Sequence, residues 1–175
     1  PTDTAAPAPS EAAQQHPATA PTVAEPPPAD PIVAEIRLKL QDPVLRKGAA
    51  ADDLAALEAY YGERSGPPLW ITTVGFSARA GTLIAEIQKA GDWGLAPEAF
   101  DLPPASDLPA TTEAQAIDEI KLALAILKYA RFAKGGRVSP ARISALFDQK
   151  PNLRDPRVVL SEIAASASPG AYLIS

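Results

Sequence analysis

The chain contains no cysteine and no methionine, and its one histidine is His16. Without cysteine these residues hold no disulfide framework, no thiolate metal site and no thiol nucleophile. His16 lies in a stretch of proline and alanine, so no histidine base, triad or zinc site can be assembled inside a folded part, and no cofactor or metal is expected. No apolar run approaches the roughly 18 residues of a membrane-spanning helix, and the first residues lack the charged-then-apolar pattern of a secretory signal. Cations are few and scattered, and the formal charge is −5. A phosphate backbone requires clustered cations and stacking aromatics, so no nucleic-acid partner is expected. Lys134, Arg137 and Arg142 do gather around one turn, either as solvated charges favoured by a helix C-terminus or as a surface for an acidic partner. A start at Pro1 in a chain without methionine leads to the expectation of a processed product, with any signal upstream.

Proline is plentiful, with 20 in the chain. Residues 1–30 are almost wholly Pro, Ala, Thr, Glu, Gln and Ser, with Val23 the one sizeable aliphatic, too little apolar surface to offset the entropy of ordering. They read as a disordered, extended tether. Residues 31–175 read as the folded part, where proline marks helix starts at Asp30-Pro31, Asp42-Pro43, Ala96-Pro97, Ser139-Pro140 and Asp155-Pro156. Proline suits the first helical position, and an adjacent Asp or Ser accepts from the free amides of the first turn.

Apolar spacing predicts helices over 31–40 (Ile32, Val33, Ile36, Leu40), 51–64 (Leu54, Leu57, Tyr60, Tyr61) and 77–90 (Leu83, Ile84, Ile87), the last capped by Ser77. Leu69 to Val74 reads as an extended piece too brief to make a sheet. Gly91 to Ala110 is irregular, pinned by Trp93, Leu95 and Phe100. Thr112 with Gln115 reads as a capping box opening the longest helix, with Ile117, Ile120, Leu124 and Leu127 as its stripe and Gly135-Gly136 as its stop. Short helices are predicted from Pro140 to Phe147 and from Pro156 to Ala165. The fold class is all-α, an irregular bundle of about six helices behind the tail.

The paired carboxylates Asp52/Asp53, Glu58/Glu63 and Asp118/Glu119 are the nearest approach to glycosidase chemistry. Each sits where a soluble helix ordinarily carries charge, and that structural reading is preferred. Ser77, Ser139 and Ser161 read as caps or surface residues. Gly135-Gly136 follows a helix instead of preceding one, contrary to phosphate-binding loops. Trp70, Trp93, Tyr60 and Tyr61 read as core anchors first and as a sugar-stacking platform second.

Four stretches carry a family resemblance. They are Tyr60-Tyr61-Gly62-Glu63-Arg64 with Pro68-Leu69-Trp70; the Ala-x-x-Leu helix from Arg79 to Ala90; Gly94-Leu95-Ala96-Pro97-Glu98-Ala99-Phe100; and the acidic residue that opens the helix running through Tyr129 to Gly136-Arg137-Val138 and Pro140. In this order they resemble the helical scaffold domain that precedes the catalytic domain of large bacterial L,D-transpeptidases, with Phe100 where that family usually has Tyr. The resemblance covers about residues 51–165 and implies a periplasmic protein of peptidoglycan metabolism. Its partner is the catalytic domain of the same polypeptide, a cysteine transferase whose His-Gly-Cys motif these residues lack. The implied role is non-catalytic support, with Trp93, Phe100, Tyr129 and Arg137 as the candidate partner-contact residues. A peptidoglycan-binding or protein-docking module without an attached enzyme is the alternative. The apolar run Ala171-Tyr172-Leu173-Ile174 leads to the expectation of a fragment of a longer chain over a free-standing module.

Overall fold

Prolines and their acidic neighbours set the helix starts as the sequence predicts. In the computed structural model, which describes residues 30–104, 109–135 and 152–175, the Oδ1 atoms of Asp30, Asp42 and Asp155 accept from the amides of Ile32, Val44 and Arg157, each at 2.8 Å. All of the predicted 1–30 tether but Asp30, the Gly136-Arg137-Val138 turn and the helix from Pro140 to Phe147 lie outside the described residues.

Among the described residues there are seven α-helices: α1 (Pro31–Lys39), α2 (Pro43–Gly48), α3 (Ala51–Glu63), α4 (Ala78–Gln88), α5 (Thr112–Ala133), α6 (Pro156–Ala165) and α7 (Pro169–Leu173). The all-α class holds, with one addition. Ile71–Thr72 (β1) pairs antiparallel with Gly75–Phe76 (β2), where an unpaired extended piece was predicted. Gly75 closes the turn at φ +130°, a conformation open to glycine, and Thr72 Oγ1 donates to its carbonyl at 2.8 Å. Two single turns of 3-10 helix, Ala90–Trp93 and Pro97–Ala99, order the irregular region, so Ala96-Pro97 starts a turn and not a helix.

The cap of α5 lies one residue before the predicted position. Thr111 Oγ1 accepts from the Ala114 amide at 3.2 Å, and the Gln115 side chain donates to the Pro109 carbonyl instead of closing a box. Helix α7 was not predicted, being only one turn long. It packs closely on α4 through Gly170, where a Cβ would stand 3.2 Å from Glu86 Cγ and 3.3 Å from the Thr82 carbonyl.

Helix α5 is the axis of the fold and touches α1, α3, α4, α6 and α7. Ala116, Ile120, Leu122, Ala123, Ile126 and Leu127 are buried around it. A helix covered on most sides shows no single stripe. That is why the predicted stripe was incomplete: Ile120 and Leu127 are buried, whereas Ile117 and Leu124 are half-buried. Val33 and Ile36 of α1 and Leu40 at its C-cap, Leu54, Leu57 and Tyr61 of α3, and Leu83 and Ile87 of α4 complete the core with Trp70, Leu160 and Ile163.

Candidate functional site

The most constrained place in the fold is the carboxylate of Glu119, which is fully buried on α5. Its Oε1 accepts from the Tyr61 hydroxyl at 2.6 Å, from the Leu69 amide at 2.5 Å and from the Trp70 amide at 3.1 Å. Oε2 accepts from the Trp70 and Ile71 amides at 3.0 and 2.9 Å. Burial pushes the Glu119 carboxyl above its ordinary value, and the hydrogen bonds from Tyr61 and the three amides pull it back down. Burial, then the charge of Glu119, holds the Tyr61 hydroxyl well above its own ordinary value. The reading of Asp118/Glu119 as ordinary solvated helix charges is therefore corrected. The role is structural, but it is that of a buried tie joining α3, the segment before β1 and α5.

Asp53 needs the same correction. It is 2 % exposed, and its two oxygens accept from Arg131 Nη1 at 2.8 and 2.7 Å, linking α3 to the last turn of α5. Burial raises the Asp53 carboxyl, and Arg131 opposes the rise. Asp118 is also buried, and its Oδ2 has no hydrogen-bond partner among the described residues. Glu58 accepts from Arg46 and from Gln41 at the surface. Among the described residues no group of His, Cys, Asp and Glu is placed to hold a metal ion, and no helix is long and apolar enough to cross a membrane.

The aromatic residues divide sharply. Trp70 and Tyr61 are fully buried and Tyr60 is half-buried beneath Arg64, whose guanidinium donates to the Tyr60 hydroxyl at 3.1 Å. They do not form a platform with Trp93. Trp93 itself is 63 % exposed on its 3-10 turn, so its predicted role as a pin for this region passes to Phe100 and the half-buried Leu95. The Phe100 ring lies 5.5 Å from Tyr129 and 5.8 Å from Phe132, with Phe100 and Tyr129 both buried. Of the four candidate contact residues, Trp93 thus stands on the described surface, Phe100 and Tyr129 serve the core, and Arg137 lies outside the described residues. Ser77 caps α4 by accepting from the Ala80 amide, and Ser161 donates to the Arg157 carbonyl. His16, Ser139 and Arg142 are outside the described residues, and Lys134 donates to the Ser175 carbonyl at 2.7 Å.

A groove of about 550 Å³ runs between α2 and α5, floored by Leu45, Ile117 and Leu124. Six of its lining charges are paired with one another, Lys39 with Glu113, Lys121 with Asp101 and Arg131 with Asp53. The sequence signal for it was weak: α2 buries no residue, and Val44 is 82 % exposed.

No curated protein and no solved structure matches this chain. The model of the Scaffold domain family matches residues 55–175, a span that holds Tyr61, Trp70 and Glu119 together with Trp93. The chain belongs to the Scaffold domain family.

Proposed function

We propose that residues 31–175 are the non-catalytic scaffold of a periplasmic peptidoglycan L,D-transpeptidase, supporting the catalytic part of the same polypeptide in cell-wall cross-linking. One observation carries the reading. The first of the stretches that make the resemblance meets the longest helix at a single buried tie, with Tyr61 and the Leu69-Trp70 amides on Glu119. The Tyr61 hydroxyl and the Leu69 and Trp70 amides are spent on the Glu119 carboxylate. A motif built of such residues preserves a shape, and a preserved shape is what a support contributes. The resemblance supplies the enzyme, and the surface indole of Trp93 supplies a contact of the kind that anchors interfaces.

The test is the mass of the native polypeptide in the source envelope, detected with an antibody to this domain and sequenced by mass spectrometry. A species more than twice the 18.2 kDa of these residues, with a cysteine-bearing transpeptidase motif, is expected. A native species of about the size of these residues would overturn the reading.

The exposure of Trp93 favours a second reading, a peptidoglycan-binding module that stacks a sugar on the indole. Titration with soluble muropeptides separates the two. Saturable binding that Trp93→Ala abolishes supports the module, and its absence removes it.

A further inference from the structure

Glu119 fills a receptor that the chain shapes without it. Pro67 and Pro68 have fixed φ and no amide to offer, so Leu69 is the first donor of the segment. The backbone bends at Leu69 and Trp70, which turns three consecutive amides toward one point instead of alternating them as a strand does. Four contacts hold that bend from outside. Arg64 Nε donates to the Pro67 carbonyl at 2.5 Å, the Ser77 amide donates to the Trp70 carbonyl at 2.7 Å, the Trp70 side chain is fully buried, and β1 pairs with β2. The two hydrogen bonds and the strand pairing are made without Glu119. The fourth donor, the Tyr61 hydroxyl, comes from α3, which is anchored in the core by Leu54 and Leu57 as well.

We propose that the Leu69, Trp70 and Ile71 amides and the Tyr61 hydroxyl form a carboxylate-binding nest in their own right, and that Glu119 is its built-in ligand, latching the connection between α3 and α4 onto α5. Converging amides favour an anion. The pair of oxygens on Glu119 divides four donors between them, a geometry that selects a planar carboxylate over a spherical halide. The ligand class is therefore a small monocarboxylate, admitted once the side chain is cut back. The latch orders residues 64–77, including the hairpin that carries the exposed Val74. This inference does not depend on which partner the domain supports.

The experiment is thermal unfolding of the full chain carrying Glu119→Ala, titrated with sodium formate against sodium chloride at equal ionic strength. The melting temperature of the variant is expected to fall and then to recover saturably in formate and not in chloride, while the unsubstituted chain shows no such difference. A variant that is unfolded alone gives the same reading through refolding in formate but not in chloride. Glu119→Gln is the control, because its amide still fills the nest and leaves no room for formate. Lack of recovery specific to formate in Glu119→Ala overturns the proposal, as does equal recovery in Glu119→Gln, which would place the formate elsewhere.

Discussion

The hydroxyl of Tyr61 donates to Oε1 of Glu119 at 2.6 Å, joining residues 58 apart in sequence with both side chains out of water. Burying a carboxylate is costly unless its lone pairs are met, and here Tyr61 and three amides meet them. Glu119→Gln replaces one acceptor oxygen by an NH2 that faces amide donors. Equilibrium denaturation is expected to show a loss of about 2–4 kcal/mol. Tyr61→Phe is expected to cost about 1–3 kcal/mol, and the double variant less than the sum, because the two residues share one bond. Strict additivity would contradict the coupling between the two residues.

Asp53 and Arg131 form the second buried tie, with Asp53 almost fully enclosed and Arg131 partly open to solvent. Arg131→Ala strands the Asp53 carboxylate and is expected to cost about 3 kcal/mol. Asp53→Leu together with Arg131→Met removes both charges and is expected to recover most of that loss. A chemical melt of the three variants checks the order.

Asp118 has a buried carboxyl whose Oδ2 lacks a partner among the described residues, and burial raises it above its ordinary value while Lys121 opposes the rise. A carboxyl raised by folding favours the folded state when protonated. Its contribution is full below the unfolded value, near 3.8, and is lost as pH rises through the folded value. Asp118→Asn removes that dependence. The variant is expected to gain stability relative to the unsubstituted chain as pH rises from acid to neutral, and a pH series of melting temperatures checks the sign.

The two tryptophans make a direct contrast. Trp93→Ala is expected to change stability by no more than about 0.5 kcal/mol, as for an exposed residue outside any network. Trp70→Ala, in the core, is expected to cost about 3–5 kcal/mol. Denaturation of both variants checks burial at each position.

Local chemistry was the legible part of the fold. Asp30-Pro31, Asp42-Pro43 and Asp155-Pro156 each name a cap and a first helical residue in adjacent positions, so α1, α2 and α6 start where the sequence places them. Ser77 marks α4 in the same way. What local pattern cannot carry is the identity of a partner far along the chain. Asp53 and Glu119 look like surface charges because their compensating groups, Arg131 and the amides of 69–71, are distant in sequence. An acid inside an apolar helix was the available signal, since Glu119 stands directly before Ile120 and among residues that α5 buries. Trp93, named both as a pin for its loop and as a contact residue, fails as a pin for the opposite reason. A large aromatic in an irregular loop ordinarily anchors it, but Phe100 fills that place on Tyr129 and Phe132.

The support role is tested most directly in the source cell by an in-frame deletion of the codons for residues 31–175, with the remaining polypeptide confirmed by immunoblot and the peptidoglycan digested for muropeptide analysis. If these residues support a transpeptidase, 3-3 cross-links or the stem-peptide attachments it makes fall while the polypeptide persists. An unchanged muropeptide profile would contradict the role.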